Sequence, residues 1–146
     1  MHPVSFVGAG PGAEDLLTLR AARHLREADV LVWTDSLISP AIPALAPAHC
    51  ERIRTSSLTL EQVIPILISR QRDGKRVVRL HDGDTSLYSA INEQICALSD
   101  AGIAVDVVPG ISAYQAAAAG LSCELTIPGV VQTIVLGRAG GRTGVP

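Results

Sequence analysis

Apolar residues fall into short runs of two kinds, set apart by turn-forming residues. Val4–Val7, Val30–Trp33, Arg76–Leu80 and Ile103–Val108 are brief and rich in β-branched side chains. Strands buried on both faces of a parallel sheet have this character. Cys50–Ile53 is a weaker run of the same type. Between these runs the apolar positions take helical spacing. Over Glu14–Arg26, Leu16, Leu17, Leu19, Ala22 and Leu25 form one broad face, with Arg20, Arg23 and Arg26 largely elsewhere. Ser39-Pro40 opens a short helical piece. Thr59 is a candidate N-cap for a helix reaching Asp73, with Gly74 behind it as the C′ residue. Pro65 inside that helix predicts a kink. Thr85 or Ser86 caps a helix running to about Ser99, closed by Gly102, and Ser112 begins one containing Ala116–Ala119. Thr133–Leu136 reads as one more strand. Strands alternating with helices predict an α/β fold with a mostly parallel sheet and flanking helices.

Three of the predicted strands end in glycine turns: Gly8-Ala9-Gly10-Pro11-Gly12, His81-Asp82-Gly83-Asp84 and Pro109-Gly110-Ile111-Ser112. In a parallel sheet such turns gather at the carboxyl ends, where ligands bind. Two ligand classes fit. Gly8-x-Gly10-x-x-Ala13 satisfies the permissive dinucleotide fingerprint, with Asp35 near the end of the second strand as a ribose-binding acid. Pro11 weighs against an NAD site, because it lacks the N–H that a phosphate cradle uses. The second class is S-adenosylmethionine, which has no phosphates and carries a sulfonium cation. It needs backbone groups and close approach, which Gly83, Gly110, Ser112 and Ala113 suit. A non-enzymatic binding module is a third reading.

Composition narrows the field. At 146 residues with 47% hydrophobic content, the chain is long enough for one packed domain and is not generally disordered. A net charge of −2 gives no global pull toward nucleic acid or an anionic membrane, and 3% aromatics argue against a base-stacking platform. The start lacks a signal-peptide pattern, and no apolar run approaches the ~18 residues of a membrane span. Cys50, Cys96 and Cys123 lack metal-ligand spacing, so reduced buried thiols in a cytoplasmic protein are expected, with no metal.

Taken together, the motifs resemble the tetrapyrrole methylases, the class III S-adenosylmethionine-dependent methyltransferases. The resemblance covers essentially the whole chain. It rests on Val7–Gly12, Asp15-Leu16-Leu17-Thr18, Ala28-Asp29-Val30-Leu31, Asp35–Ser39, Gly83-Asp84 and Val108–Ala113. Within the family it is similar to members that methylate carbon 11 of precorrin-4 or cobalt-precorrin-4 in cobalamin biosynthesis. That finer likeness lies in Trp33–Leu37, Val78–Asp84, Glu124–Pro128 and the segment from Gly137 to Pro146. Thr85 departs from the proline many relatives have after the Gly-Asp pair.

The resemblance implies the N-terminal domain of a two-domain tetrapyrrole methylase, a homodimer at full length, with the cofactor between the domains. Residues 1–130 would form the N-terminal α/β domain. Residues 131–146 would supply the linker, first strand and loop of a second domain. The implied cofactor is S-adenosyl-L-methionine, with S-adenosyl-L-homocysteine as product. Its contacts fall on Pro11, Asp82, Gly83, Asp84, Leu87, Ser112 and Ala113. Asp35 is the candidate catalytic acid, just past the second strand. A tetrapyrrole substrate carries many carboxylates, so Arg54, Arg79, Arg138 and Arg142 are candidate ligands for it. Gly10, Gly12 and His81 complete the substrate-binding set.

Overall fold

The structure, a computed structural model, describes residues 1–140. Five strands form one sheet: β1 (Val4–Gly8), β2 (Val30–Trp33), β3 (Glu51–Arg54), β4 (Val77–His81) and β5 (Val105–Val108). Their spatial order is β3-β2-β4-β1-β5, and every adjacent pair is parallel. The α/β fold read from the sequence is therefore the fold observed. The helices are α1 (Leu19–Glu27), α2 (Leu60–Arg72), α3 (Ile91–Asp100) and α4 (Ala113–Gly120).

Strand alternation divides the core into two layers. Val7, Leu31, Trp33, Val78, Leu80 and Val108 pack with Ala21 and Leu25 of α1 and with Ile38, Ile42 and Ala46. Val4, Phe6, Val30, Val32 and Val77 pack with Val63 and Leu67 of α2 and Leu98 of α3. Each such aliphatic side chain, fully buried, contributes roughly 1.5–3 kcal/mol. The central strands β1 and β4 are buried along their whole length.

The order of the strands places the crevice. From β1 the chain crosses to β2 and β3 over the α1 face. From β3 it returns to β4, and then to β5, over the face of α2 and α3. Right-handed crossovers demand this change of face when the direction reverses. The adjacent strands β1 and β4 therefore send their loops to opposite faces, which opens a crevice between their carboxyl ends.

Several boundaries differ from those expected. Helix α1 does not begin at Glu14: Glu14–Leu16 is a separate 3-10 turn. The Thr18 side chain accepts the Ala21 N–H at 3.1 Å and caps α1 there. Helix α3 begins at Ile91, after left-handed residues at Tyr88 and Ala90. The Thr59 cap of α2 is as expected, with the Thr59 N–H donating back to Gln62 Oε1 at 2.9 Å, and Pro65 sits inside one continuous helix. The short helical piece is a 3-10 turn, Pro43–Leu45.

The chain forms two compact units, divided after Ala113. In the second, the end of α4 is closed by the Cys123 N–H on the Ala118 carbonyl. An antiparallel bridge joins Ile127 and Val131. Thr133–Leu136 forms no strand: it pairs with nothing regular among the described residues and is exposed.

Candidate functional site

Three loops meet at the crevice, backbone against backbone. The Gly10 N–H donates to the Gly83 carbonyl at 3.1 Å, and the Gly83 N–H donates to the Gly10 carbonyl at 2.9 Å. The Ala9 N–H donates to the His81 carbonyl at 2.7 Å. The loop after β5 is drawn in by Gly8 and Gly110. A Cβ on Gly110 would overlap the Gly83 carbonyl oxygen and lie 2.9 Å from the Gly8 Cα, and one on Gly8 would lie 2.6 Å from the Gly110 nitrogen. Only glycine permits that approach.

Asp84 ties the second loop to the third. Its Oδ1 accepts the Gly110 N–H at 2.9 Å, and its Oδ2 accepts both the N–H and the hydroxyl of Ser86. Desolvation pushes this carboxyl up, but the hydrogen bonds from Ser86 and Gly110 outweigh it and hold the group below the usual range. Asp82 is exposed, Leu87 is half-buried, Ser112 is buried and Ala113 begins α4. A Cβ on Gly83 would lie 3.7 Å from the Ser112 Cα. Pro11 and Gly12 are half-buried on the first loop. The structure thus brings Gly10, Gly83, Asp84 and Ser112 together.

Asp35 and Arg54 meet beside this crevice, over the ends of β2 and β3. There a cleft of about 460 Å³ has Trp33, Ile38 and Pro43 for its apolar wall, and Asp35, Arg52 and Arg54 for its charges. The Ser56 side chain, and behind it the Arg54 charge, hold the Asp35 carboxyl below its usual range. Asp35 is therefore a carboxylate at neutral pH. Its Oδ1 is buried and has no hydrogen-bond partner among the described residues. Such an oxygen is an acceptor with unused capacity. Two threonines fasten the segments that carry these groups. Thr34 and Thr55 share a hydroxyl–hydroxyl bond of 3.1 Å, and the Thr55 N–H donates to the Trp33 carbonyl at 2.8 Å. Thr55 and Ser56 carry no motif and were not legible as site residues, and Thr34 stood in the Trp33–Leu37 motif without a role of its own. The sequence reading also missed Arg52, which clasps the Ala46, Pro47 and Cys50 carbonyls.

His81 and Arg79 turn into the sheet. His81 is 6% exposed and stacks on Phe6, with ring centroids 5.8 Å apart. Burial, and then the Arg79 charge, push its pKa down to about 3, so it is neutral over the physiological range. Arg79 is 7% exposed and reaches Gln94, the Val32 carbonyl and Thr55 rather than the cleft. Arg138 lies in the second unit on an exposed stretch without regular structure. Arg142 lies outside the described residues. Among the described residues no cluster of three His, Cys, Asp or Glu could hold a metal, and no helix is long and apolar enough to cross a membrane.

The crevice does not suit a dinucleotide. The Ala9 and Gly10 N–H groups are spent on neighbouring loops, and Pro11 has none. The fingerprint also requires a helix opening directly from the glycine loop. Here α1 starts only at Leu19, with Thr18 on its first turn.

The profile of the Tetrapyrrole (Corrin/Porphyrin) Methylases matches residues 3–144. A cobalt-precorrin-4 C(11)-methyltransferase from Priestia megaterium is 43% identical over 141 residues, which is 97% of this chain and 55% of that protein. The crystal structure of a cobalt precorrin-4 methyltransferase, a cobalamin biosynthetic enzyme, superposes with a TM-score of 0.93 at 42% identity. It covers 98% of this chain and 60% of its own. The uroporphyrin-III C-methyltransferase of Thermus thermophilus, complexed with S-adenosylhomocysteine, gives a TM-score of 0.73 at 34% identity over 88% of this chain and 51% of that one. The chain spans about half the length of the curated relatives it matches.

Proposed function

The chain belongs to the tetrapyrrole (corrin/porphyrin) methylases, and on that premise we propose that it forms the N-terminal part of an S-adenosylmethionine-dependent enzyme. The reaction is methylation of carbon 11 of cobalt-precorrin-4 or precorrin-4. The observation that carries this reading is the closed triplet of loops after β1, β4 and β5, in which the Ala9, Gly10 and Gly83 amides bind neighbouring backbone and the Gly110 amide binds Asp84, so that none of these four is left for a phosphate. S-adenosylmethionine needs no phosphate cradle, so the donor set fits it.

Pro11, Asp82, Gly83, Leu87, Ser112 and Ala113 line the loops that would hold the cofactor, and Asp84 fixes two of those loops to each other. Bound there, the cofactor supplies an electrophilic methyl group on a sulfonium sulfur. The chain contributes placement and charge. The loops present a rigid backbone surface, and such alignment is worth up to ~7–11 kcal/mol in ideal cases. Asp35, already ionised and on the cleft wall, accepts a hydrogen bond or proton from the macrocycle. Arg54 pairs with a peripheral carboxylate in the bidentate manner of guanidinium. His81 is neutral and interior, and belongs to the loop's support rather than to proton transfer.

The test is calorimetric titration of S-adenosylhomocysteine, with NAD as comparator, into the protein at the length of its curated relatives. Selective binding of S-adenosylhomocysteine is expected, and selective NAD binding overturns the reading. Asp35→Asn should leave that affinity unchanged and lower turnover at least tenfold, the general acid–base share of a rate. Unchanged turnover removes Asp35 from the chemistry.

A further inference from the structure

Strand β4 carries a guanidinium where the fold would ordinarily put an aliphatic side chain. Arg79 sits between Val77 and His81 on the α2–α3 side of the sheet and is 7% exposed. Among the described residues it makes no ion pair with a carboxylate. A buried cation is costly unless it is well hydrogen-bonded. Arg79 meets that need with neutral partners taken from three different parts of the fold. Nε donates to Gln94 Oε1 at 3.3 Å, and Nη1 donates to the Val32 carbonyl at 3.3 Å and to Thr55 Oγ1 at 3.4 Å.

Those partners lead in two directions. Gln94 is fully buried on α3, and its Nε2 donates to the carbonyl of Ala90 at 3.1 Å. Ala90 is the left-handed residue that ends the loop after β4 and opens α3. On the other side, Thr55 clasps Thr34, the residue before Asp35. Thr55 also stands between Arg54 and Ser56, the two groups that keep Asp35 ionised. One planar guanidinium therefore spans from the end of the cofactor loop to the clasp beneath the catalytic carboxylate.

We propose that Arg79 is a positioning residue that fixes the Asp35 segment relative to the cofactor loop through Thr55 and Gln94. The inference rests on the methyl-transfer reading above. Lysine keeps the charge but offers a single nitrogen in place of the fork, so it cannot hold Gln94 and Thr55 together.

The experiment is a mutant cycle in the full-length protein, with cobalt-precorrin-4 as methyl acceptor. It uses Arg79→Lys, Thr55→Val and Asp35→Asn, alone and combined. Arg79→Lys and Thr55→Val should each lower kcat about tenfold, the scale of a lost charge-assisted hydrogen bond. The Kd for S-adenosylhomocysteine should stay within about threefold. Added to Asp35→Asn, neither should cost more than about twofold, because the group they position is gone. The same loss of kcat with and without Asp35 overturns the proposal. A fully active Asp35→Asn protein that still binds S-adenosylhomocysteine overturns it too, together with the assigned role of Asp35, and leaves the methyltransferase reading standing. Failure to bind S-adenosylhomocysteine strikes that reading itself. Should Arg79→Lys fail to fold, Thr55→Val, which leaves the cation in place, carries the cycle.

Discussion

At the scale of single residues, burial has separated two groups that look alike on the page as site candidates. His81 and Asp35 both stand at or just beyond a strand's carboxyl end. Asp35 is partly open, has Ser56 and Arg54 beside it, and stays charged. His81 is enclosed, feels the Arg79 charge, and stays neutral. The two make opposite predictions on the acid side. The pKa of His81 falls from 6.5 in the unfolded chain to about 3 in the fold. Below pH 6.5 the unfolded chain takes up a proton that the folded state refuses. Stability is therefore intact above pH 6.5 and declines as the pH drops toward 3, by about 1.4 kcal/mol per pH unit for this one group. Between pH 7 and 4.5 the native protein should lose about 2–3 kcal/mol more than His81→Leu, as read from urea unfolding at both pH values. An equal loss in both proteins would mean that His81 is protonated in the fold. For Asp35 the depressed pKa keeps the carboxylate charged as pH falls through the ordinary carboxylate range. Turnover should accordingly hold until below that range, and Asp35→Asn should remove this acid limb from the kcat profile.

At the scale of elements, what could be read in advance was what apolar pattern decides. Four of the five strands are short apolar runs with β-branched residues ended by turns, β3 is the weaker one, and all five stand within a residue or two of where the pattern puts them. The inward course of Arg79 was also legible in principle, since it alternates with Val78 and Leu80 on a strand closed on both faces. The misread boundaries have a common cause: a polar side chain bound the backbone where periodicity alone would continue. Leu16 and Leu17 extend the helical face of α1 toward Glu14, but Thr18 takes the Ala21 N–H and starts the helix there. Ser86 was a fair cap by type, but Asp84 uses its N–H and hydroxyl, and the helix waits for Ile91. At Thr133–Leu136 the residue types suit a strand, but the partner that would make one is a tertiary matter, and none is paired there. The cap at Thr18 gives a test at this scale. Thr18→Ala should cost about 1 kcal/mol of stability in urea unfolding. S-adenosylhomocysteine affinity should not change, because the start of α1 is no part of the ligand crevice. A large loss of affinity would restore the helix terminus to the site.

At the scale of the whole sheet, the site is a consequence of strand order. Two crossovers run one way over the α1 face and two return over α2 and α3, and β1 and β4, side by side in the sheet, send their loops to opposite faces. The loops there would leave an open cleft of the dinucleotide kind were it not for β5. Gly8 and Gly110 let the third loop press against the other two, and Asp84 bonds it there. The proposed ligand class agrees with that closure, because amides engaged across the loops cannot also face a phosphate. If so, the binding energy resides in the spacing of backbones rather than in any one side chain, and a single methyl group should reveal it. Gly110→Ala forces a Cβ against the Gly83 carbonyl oxygen and the Gly8 Cα. Overpacking of this kind costs roughly 1–3 kcal/mol, and moving the β5 loop outward should weaken S-adenosylhomocysteine binding at least tenfold by calorimetry. The comparison that separates site from stability is Gly102→Ala. Gly102 follows α3 at φ +73 with nothing within 4 Å of an added Cβ. Alanine there pays a left-handed strain of about 1–2 kcal/mol at the opposite end of β5. It should lose comparable stability and keep its affinity. Equal affinities in the two variants would show that the crevice tolerates separation of its loops, and that the ligand is held by something other than their close approach.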